Sequence, residues 1–157
     1  MAVAESARKV LVVEPDNSTR REIKVACEQD GYLVVEADAG SEALRQIESA
    51  RPSVVLLEVT LPDVAGFDVC RELRKMDPGV PVIMMSSRSD EIDAVVALEI
   101  GADDYVTKPL RLRELVARMA APDEFSIRGR ARLIPAGELR DRVGSGWFFE
   151  VVTNGPS

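Results

Sequence analysis

Four clusters of polar residues in this 157-residue chain have the types and placement to do chemistry: Glu14-Pro15-Asp16, Glu58, Ser86-Ser87 and Lys108-Pro109. Each directly follows an apolar run, at residues 10–13, 53–57, 80–85 and 105–107. The chain has no histidine, so imidazole is excluded as base, metal ligand or phosphoryl carrier. Cys27 and Cys70 sit inside amphipathic stretches, without metal-ligand spacing, and read as small core thiols of a reducing compartment. Gly129 and Gly137 are too isolated to form a phosphate loop. What remains is the chemistry of carboxylates, hydroxyls and one ammonium.

The elements that must position these groups alternate along the chain. The short apolar runs at residues 10–13, 32–35, 53–57, 80–85 and 105–107 read as strands. Residues 18–30, 41–50, 67–76, 90–100 and 112–120 carry apolar side chains at helical spacing. Gly31 and Gly101 stand where helices should stop, and Pro81 fits only near a strand start. Strands apolar on both faces, alternating with helices, predict βαβ crossovers, a parallel sheet, and helices on both of its sides. In such sheets a site lies beyond the carboxyl ends of the strands. All four polar clusters fall there.

At those four places the sequence resembles the receiver domain of two-component response regulators. The residues that carry the resemblance are Val10-Leu-Val-Val-Glu-Pro-Asp16, Val54-Val-Leu-Leu-Glu-Val-Thr-Leu-Pro-Asp-Val-Ala-Gly66, Pro81-Val-Ile-Met-Met-Ser-Ser-Arg88 and Gly101-Ala-Asp-Asp-Tyr-Val-Thr-Lys-Pro-Leu110. Together with Arg113-Glu-Leu-Val-Ala-Arg118, the last is most similar to the OmpR-type subfamily. The resemblance covers residues 8–120 and implies an α/β, flavodoxin-like (βα)5 fold, a doubly wound parallel sheet of strand order 2-1-3-4-5. It also implies a chemistry: a carboxylate takes a phosphoryl group from a partner histidine kinase, while a divalent cation held by acids neutralises the oxygens in transit. In this pattern Lys108 matches the conserved lysine, before a bond that is cis in the family. Ser86 matches the hydroxyl residue, and Tyr105 the aromatic that turns inward on activation.

Two parts of the pattern are altered. The phosphoacceptor position holds Glu58, and the usual metal-ligand aspartate of the first strand is Pro15, which has no carboxylate. Glutamate is longer than aspartate by about 1.5 Å. In-line transfer is sensitive to errors of ~1 Å, which can cost ~100-fold. Glu14, Asp16 and Glu58 remain as an acidic pocket and a weaker ligand set for magnesium. No metal or other cofactor is therefore expected, and the receiver is expected to work without ordinary aspartyl phosphorylation. For Glu58 two readings stay open: partial mimicry of a phosphorylated aspartate, reaching toward Lys108 and Ser86, or a relic held in a structural salt bridge. A carboxylate brings less charge than a phosphoryl group, which adds roughly −1.5 to −2.

Asp103, Asp104, Arg111, Arg113, Glu114 and Arg118 form a mixed cluster that by default is a solvated face. The resemblance instead implies a homodimer across the fourth helix, fifth strand and fifth helix. Asp104 and Arg118 match an inter-subunit ion pair, and Leu98 and Val116 an apolar patch. Glu114 matches an acid whose basic partner is here Ala94, so a two-fold interface would lose that contact twice.

Residues 1–123 carry 15 basic and 23 acidic side chains, whereas residues 124–157 carry 5 arginines and 4 acids. The acidic body argues against nonspecific nucleic-acid binding by this domain. Residues 121–157 form a tail outside the resemblance. An OmpR-type regulator continues into a winged-helix DNA-binding domain, for which this tail is too short. It reads either as a truncated or non-native extension or as a short arginine-bearing peptide. Trp147-Phe-Phe-Glu-Val-Val152 within it has strand character. No signal peptide and no membrane-spanning run is seen, so a cytoplasmic location is expected. The expected function is an atypical receiver in transcriptional regulation, not an enzyme. The alternatives are a conventional phosphoaccepting receiver and a stand-alone signalling adaptor without DNA output.

Overall fold

The structure is a computed structural model and describes residues 8–87 and 91–120. The five strands are β1 (Lys9–Val13), β2 (Leu33–Ala37), β3 (Val54–Glu58), β4 (Val82–Ser86) and β5 (Asp104–Thr107). Between and after them run α1 (Asn17–Gln29), α2 (Gly40–Ala50), α3 (Gly66–Met76), α4 (Glu91–Ile100) and α5 (Leu112–Ala120). All strand pairs are parallel, in the order β2-β1-β3-β4-β5. The fold is therefore the doubly wound α/β sheet implied by the sequence.

Strand alternation divides the core in two. Leu11, Val13, Val55, Leu57, Val82 and Met84 face Ala43, Ile47, Val69, Cys70 and Leu73 of α2 and α3. Val10, Val12, Val54, Leu56, Ile83 and Met85 face Ile23 and Cys27 of α1 and Leu115 and Met119 of α5. Both cysteines are free and buried, and burial pushes the Cys27 thiol up to about 12. The Cys27 thiol is therefore protonated and not a nucleophile at neutral pH.

The punctuation follows local stereochemistry. Gly31 and Gly101 take φ of +91° and +101°, the left-handed conformation that lacks a penalty only without Cβ. The polar ends are bonded into the sheet: the Val59 amide donates to Met85 O, and the Lys108 amide to Ser86 O. Thus β3 and β4 each extend one residue beyond their apolar runs, and Glu58 and Ser86 are terminal strand residues. Among the described residues, no helix is long and apolar enough to cross a membrane.

Candidate functional site

Register brings the pocket together. Val13 pairs with Leu57, Glu58 with Met85, and Ser86 with Thr107, so the carboxyl ends of four strands finish close to one level. Glu14, Glu58 and Lys108 share strand parity with Val12, Leu56 and Val106, and therefore occupy the side of the sheet that carries α1 and α5. Ser86 and Tyr105 share the parity of Met84, on the other side.

Lys108 bridges the two acids, its Nζ lying 2.5 Å from Glu14 Oε1 and 2.6 Å from Glu58 Oε1. The second oxygen of each carboxylate accepts a backbone amide: Glu14 Oε2 from Asp16 at 3.0 Å, Glu58 Oε2 from Thr60 at 2.9 Å. Both acids are buried, and the lysine side chain is 20% exposed. Burial alone would lower the Lys108 ammonium, but hydrogen bonds from it to Glu14 and Glu58 hold it above its ordinary value. The Lys108–Pro109 bond is cis.

Asp16, expected in the acidic pocket, is within electrostatic reach of Lys108 but is bonded to the start of α1. Its carboxylate caps α1, accepting from the Thr19 amide at 2.8 Å and the Thr19 hydroxyl at 2.7 Å. Those bonds favour the ionised carboxylate and hold its pKa below the ordinary carboxylate value. A single side chain at an N-cap satisfies an orphan helical amide, and this local demand wins over the pocket. Ser86 is buried at the end of β4, and Tyr105 is buried in the core beside Ala97 and Ala102.

The implied divalent cation does not fit the residues present. Pro15 supplies no side-chain oxygen, Asp16 serves its helix, and the two remaining carboxylates are closed on Lys108 and the backbone. Among the described residues no cluster of three or more potential ligand side chains could hold a metal ion.

The charged cluster near β5 is solvated only in part: Arg111, Arg113 and Glu114 are exposed, but its two aspartates are not. Asp103 and Asp104 are buried. Asp103 accepts from Arg74 Nη2 and from the Val82 amide, both at 2.8 Å. Arg74 also donates to the carbonyls of Gly101 and Val80, tying α3 to both ends of this corner. Asp104 pairs with Arg118 at 2.5 Å within the chain. Burial raises the Asp104 carboxyl to about 6, outweighing the opposing pull of Arg118. Glu114 reaches Arg118 at 3.4 Å, one helical turn along α5. Val116 is partly buried against the α1/α5 side of the core. The side chains of Leu98 and Ala94 lie outside the described residues, as do Ser86's neighbours from 88 to 90 and the entire tail from 121 to 157.

One site-forming residue escaped sequence reasoning. Asp63, in the loop after Glu58, accepts from the Gly40 and Ser41 amides at 2.7 and 2.9 Å, pinning this loop to the N-terminus of α2. Those amides hold its carboxyl well below the usual range. The signal was faint: Ala39, at the N-cap, has no side-chain cap, so the helix needs a carboxylate from elsewhere.

A parallel sheet of order 2-1-3-4-5 with helices on both sides and a carboxylate–lysine pocket at its carboxyl edge places the chain in the doubly wound, flavodoxin-like class. Residues 10–120 match the response regulator receiver domain, and the chain belongs to that family. It is 40% identical over 114 residues to the alkaline phosphatase synthesis transcriptional regulatory protein PhoP of Bacillus subtilis, covering 73% of this chain and 48% of that one. To the DNA-binding response regulator MtrA of Mycolicibacterium smegmatis it is 42% identical, covering 73% and 50%. The solved structure of DrrB, described as a Thermotoga maritima OmpR/PhoB homolog, superposes with a TM-score of 0.65 at 34% identity, covering 71% of this chain and 50% of that one. The chain thus spans about half the length of the curated relatives it matches.

Proposed function

We propose that this chain is a receiver module of a transcriptional regulator whose state is set without aspartyl phosphorylation. The observation that carries the reading is the closed pocket: Lys108 spans Glu14 and Glu58, while Pro15 contributes no carboxylate. A glutamate with both oxygens engaged is a poor nucleophile toward an acyl phosphate. The same contact gives Lys108 the anionic partner that a phosphoryl group would provide, and Tyr105 is already buried. These features favour Glu58 as a permanent, partial substitute for the modified state.

The relatives named as DNA-binding and transcriptional regulators support an output through a DNA-binding domain, and an acidic receiver would serve it by dimerising through α4, β5 and α5. On this reading the module is not an enzyme, works in the cytoplasm, and needs no histidine kinase for its basal state. Beryllofluoride with magnesium, a mimic of the phosphoryl group, provides the test. The ¹⁵N–¹H spectrum is expected to stay unchanged on addition. Shifts spreading from Glu58 to Tyr105 would overturn the proposal in favour of a conventional phosphoaccepting receiver.

A further inference from the structure

The groove between α1 and α5, lined by Arg21, Val25, Ala26, Leu112, Arg113 and Val116, has nothing that identifies an occupant. On the basic rim beside it, Arg20 and Lys24 are engaged by Glu36, and Arg20 also by Asn17. The pocket at the sheet edge carries more.

On the basis of the phosphorylation-independent reading, we infer that the Lys108 ammonium is the pocket's resident counter-cation, taking the place of a divalent ion and keeping such ions out. Its nitrogen lies between two carboxylates from different strands, 2.5 Å from one and 2.6 Å from the other, where a shared cation would be drawn. Each acid's remaining oxygen is fixed by a backbone amide, so neither can turn to a second cation without losing a bond. Magnesium is commonly bound through one or two carboxylates and several waters, so these two acids alone would be a nucleus for it. What prevents this is the ammonium already between them. The lysine is tethered to the chain, and its local concentration exceeds that of any dissolved ion.

Removing the ammonium should therefore create a cation site instead of merely weakening the fold. In Lys108→Met the stem length is kept and the charge is lost. Manganese titration of the full-length chain, followed by the electron paramagnetic resonance of the free ion, is expected to show the variant binding Mn²⁺ roughly tenfold or more tighter than the wild type, since affinity follows ligand charge. Lys108→Arg, which retains the charge, should bind no better than the wild type. Equal Mn²⁺ affinity in wild type and Lys108→Met, with a folded circular dichroism spectrum, overturns the inference.

Should Lys108→Met not fold, the wild-type chain still decides the matter. The ¹H–¹⁵N signal of the Lys108 ammonium is expected to hold its position in millimolar Mg²⁺, and its displacement by that ion overturns the inference. A phosphoryl mass gain would strike at the functional reading, whereas Mn²⁺ binding by the wild type would strike only here.

Discussion

Lys108 Nζ lies 2.6 Å from Glu58 Oε1, a contact made by a residue just past β5 that reaches over β4 to the end of β3. The same nitrogen continues to Glu14 beyond β1. One ammonium thus joins the carboxyl ends of three strands that are far apart in sequence. Its removal leaves two buried carboxylates facing one another. Lys108→Met is expected to cost about 3–5 kcal/mol, as for breaking a buried ion pair by deleting one partner. Glu58→Gln keeps an acceptor and leaves Lys108 with Glu14, so its cost should be about 1.5–3 kcal/mol. Urea unfolding measures both, and the reverse order would contradict the geometry.

The alkaline limb follows from the same pair. The folded-state value of Lys108 is raised, so its stabilisation is fully present below the unfolded value of 10.5 and is lost as pH climbs through the folded one.

Asp104 predicts the opposite side of the pH scale. Its folded value of about 6 exceeds the unfolded 3.8, so the native state binds the extra proton. Stability from this group is present below the unfolded value and is lost as pH rises through about 6, at about 1.4 kcal/mol per pH unit within that window. The stability difference between wild type and Asp104→Asn should therefore shift in favour of the variant as pH goes from 4 to about 6. A flat difference across that range would show that Arg118 fully offsets the burial.

Asp63 should act on a helix it does not belong to. Asp63→Ala removes the acceptor for the Gly40 and Ser41 amides, and Ala39 cannot replace it. Hydrogen exchange at those two amides is expected to speed up, and the midpoint of thermal unfolding to fall. Asp63→Asn, which keeps one oxygen, should lose less. Unchanged exchange in Asp63→Ala would contradict the clamp.

The loop after Glu58 is also fixed by close backbone approach. A Cβ on Gly66 would stand 2.2 Å from Glu58 O and 2.9 Å from Val59 Cα, both backbone atoms. Gly66→Ala is expected to cost about 1–3 kcal/mol through overpacking and to disturb the Glu58 carboxylate. At Gly79 the nearest atom is Asp77 Oδ1, 3.9 Å away, so Gly79→Ala should change stability by no more than about 0.5 kcal/mol. Thermal melts of the two variants side by side check the contrast.

Much of this architecture was legible in the sequence because it depends on periodicity. The doubly apolar runs marked the strands, Gly31 and Gly101 marked helix ends, and the polar residues after the runs marked the pocket. The meeting of Glu14, Glu58 and Lys108 follows from parallel register once the strand order is known. Asp16 was not legible, since an acid before a helix can cap it or turn to a pocket, and only backbone direction decides. Asp103 and Asp104 looked like surface charges because their burial is created by α3 and α5 packing at the corner. Arg74 gave no signal, as its three carbonyl partners are brought together only by the folded chain.

The central claim is that Glu58 and Pro15 together leave no route for a phosphoryl group. Its most direct test is the intact mass of the chain after incubation with acetyl phosphate and magnesium, with a Pro15→Asp, Glu58→Asp double variant alongside. The wild type is expected to keep its mass while the double variant gains one phosphoryl group. A stable gain of that mass by the wild-type chain would contradict the account.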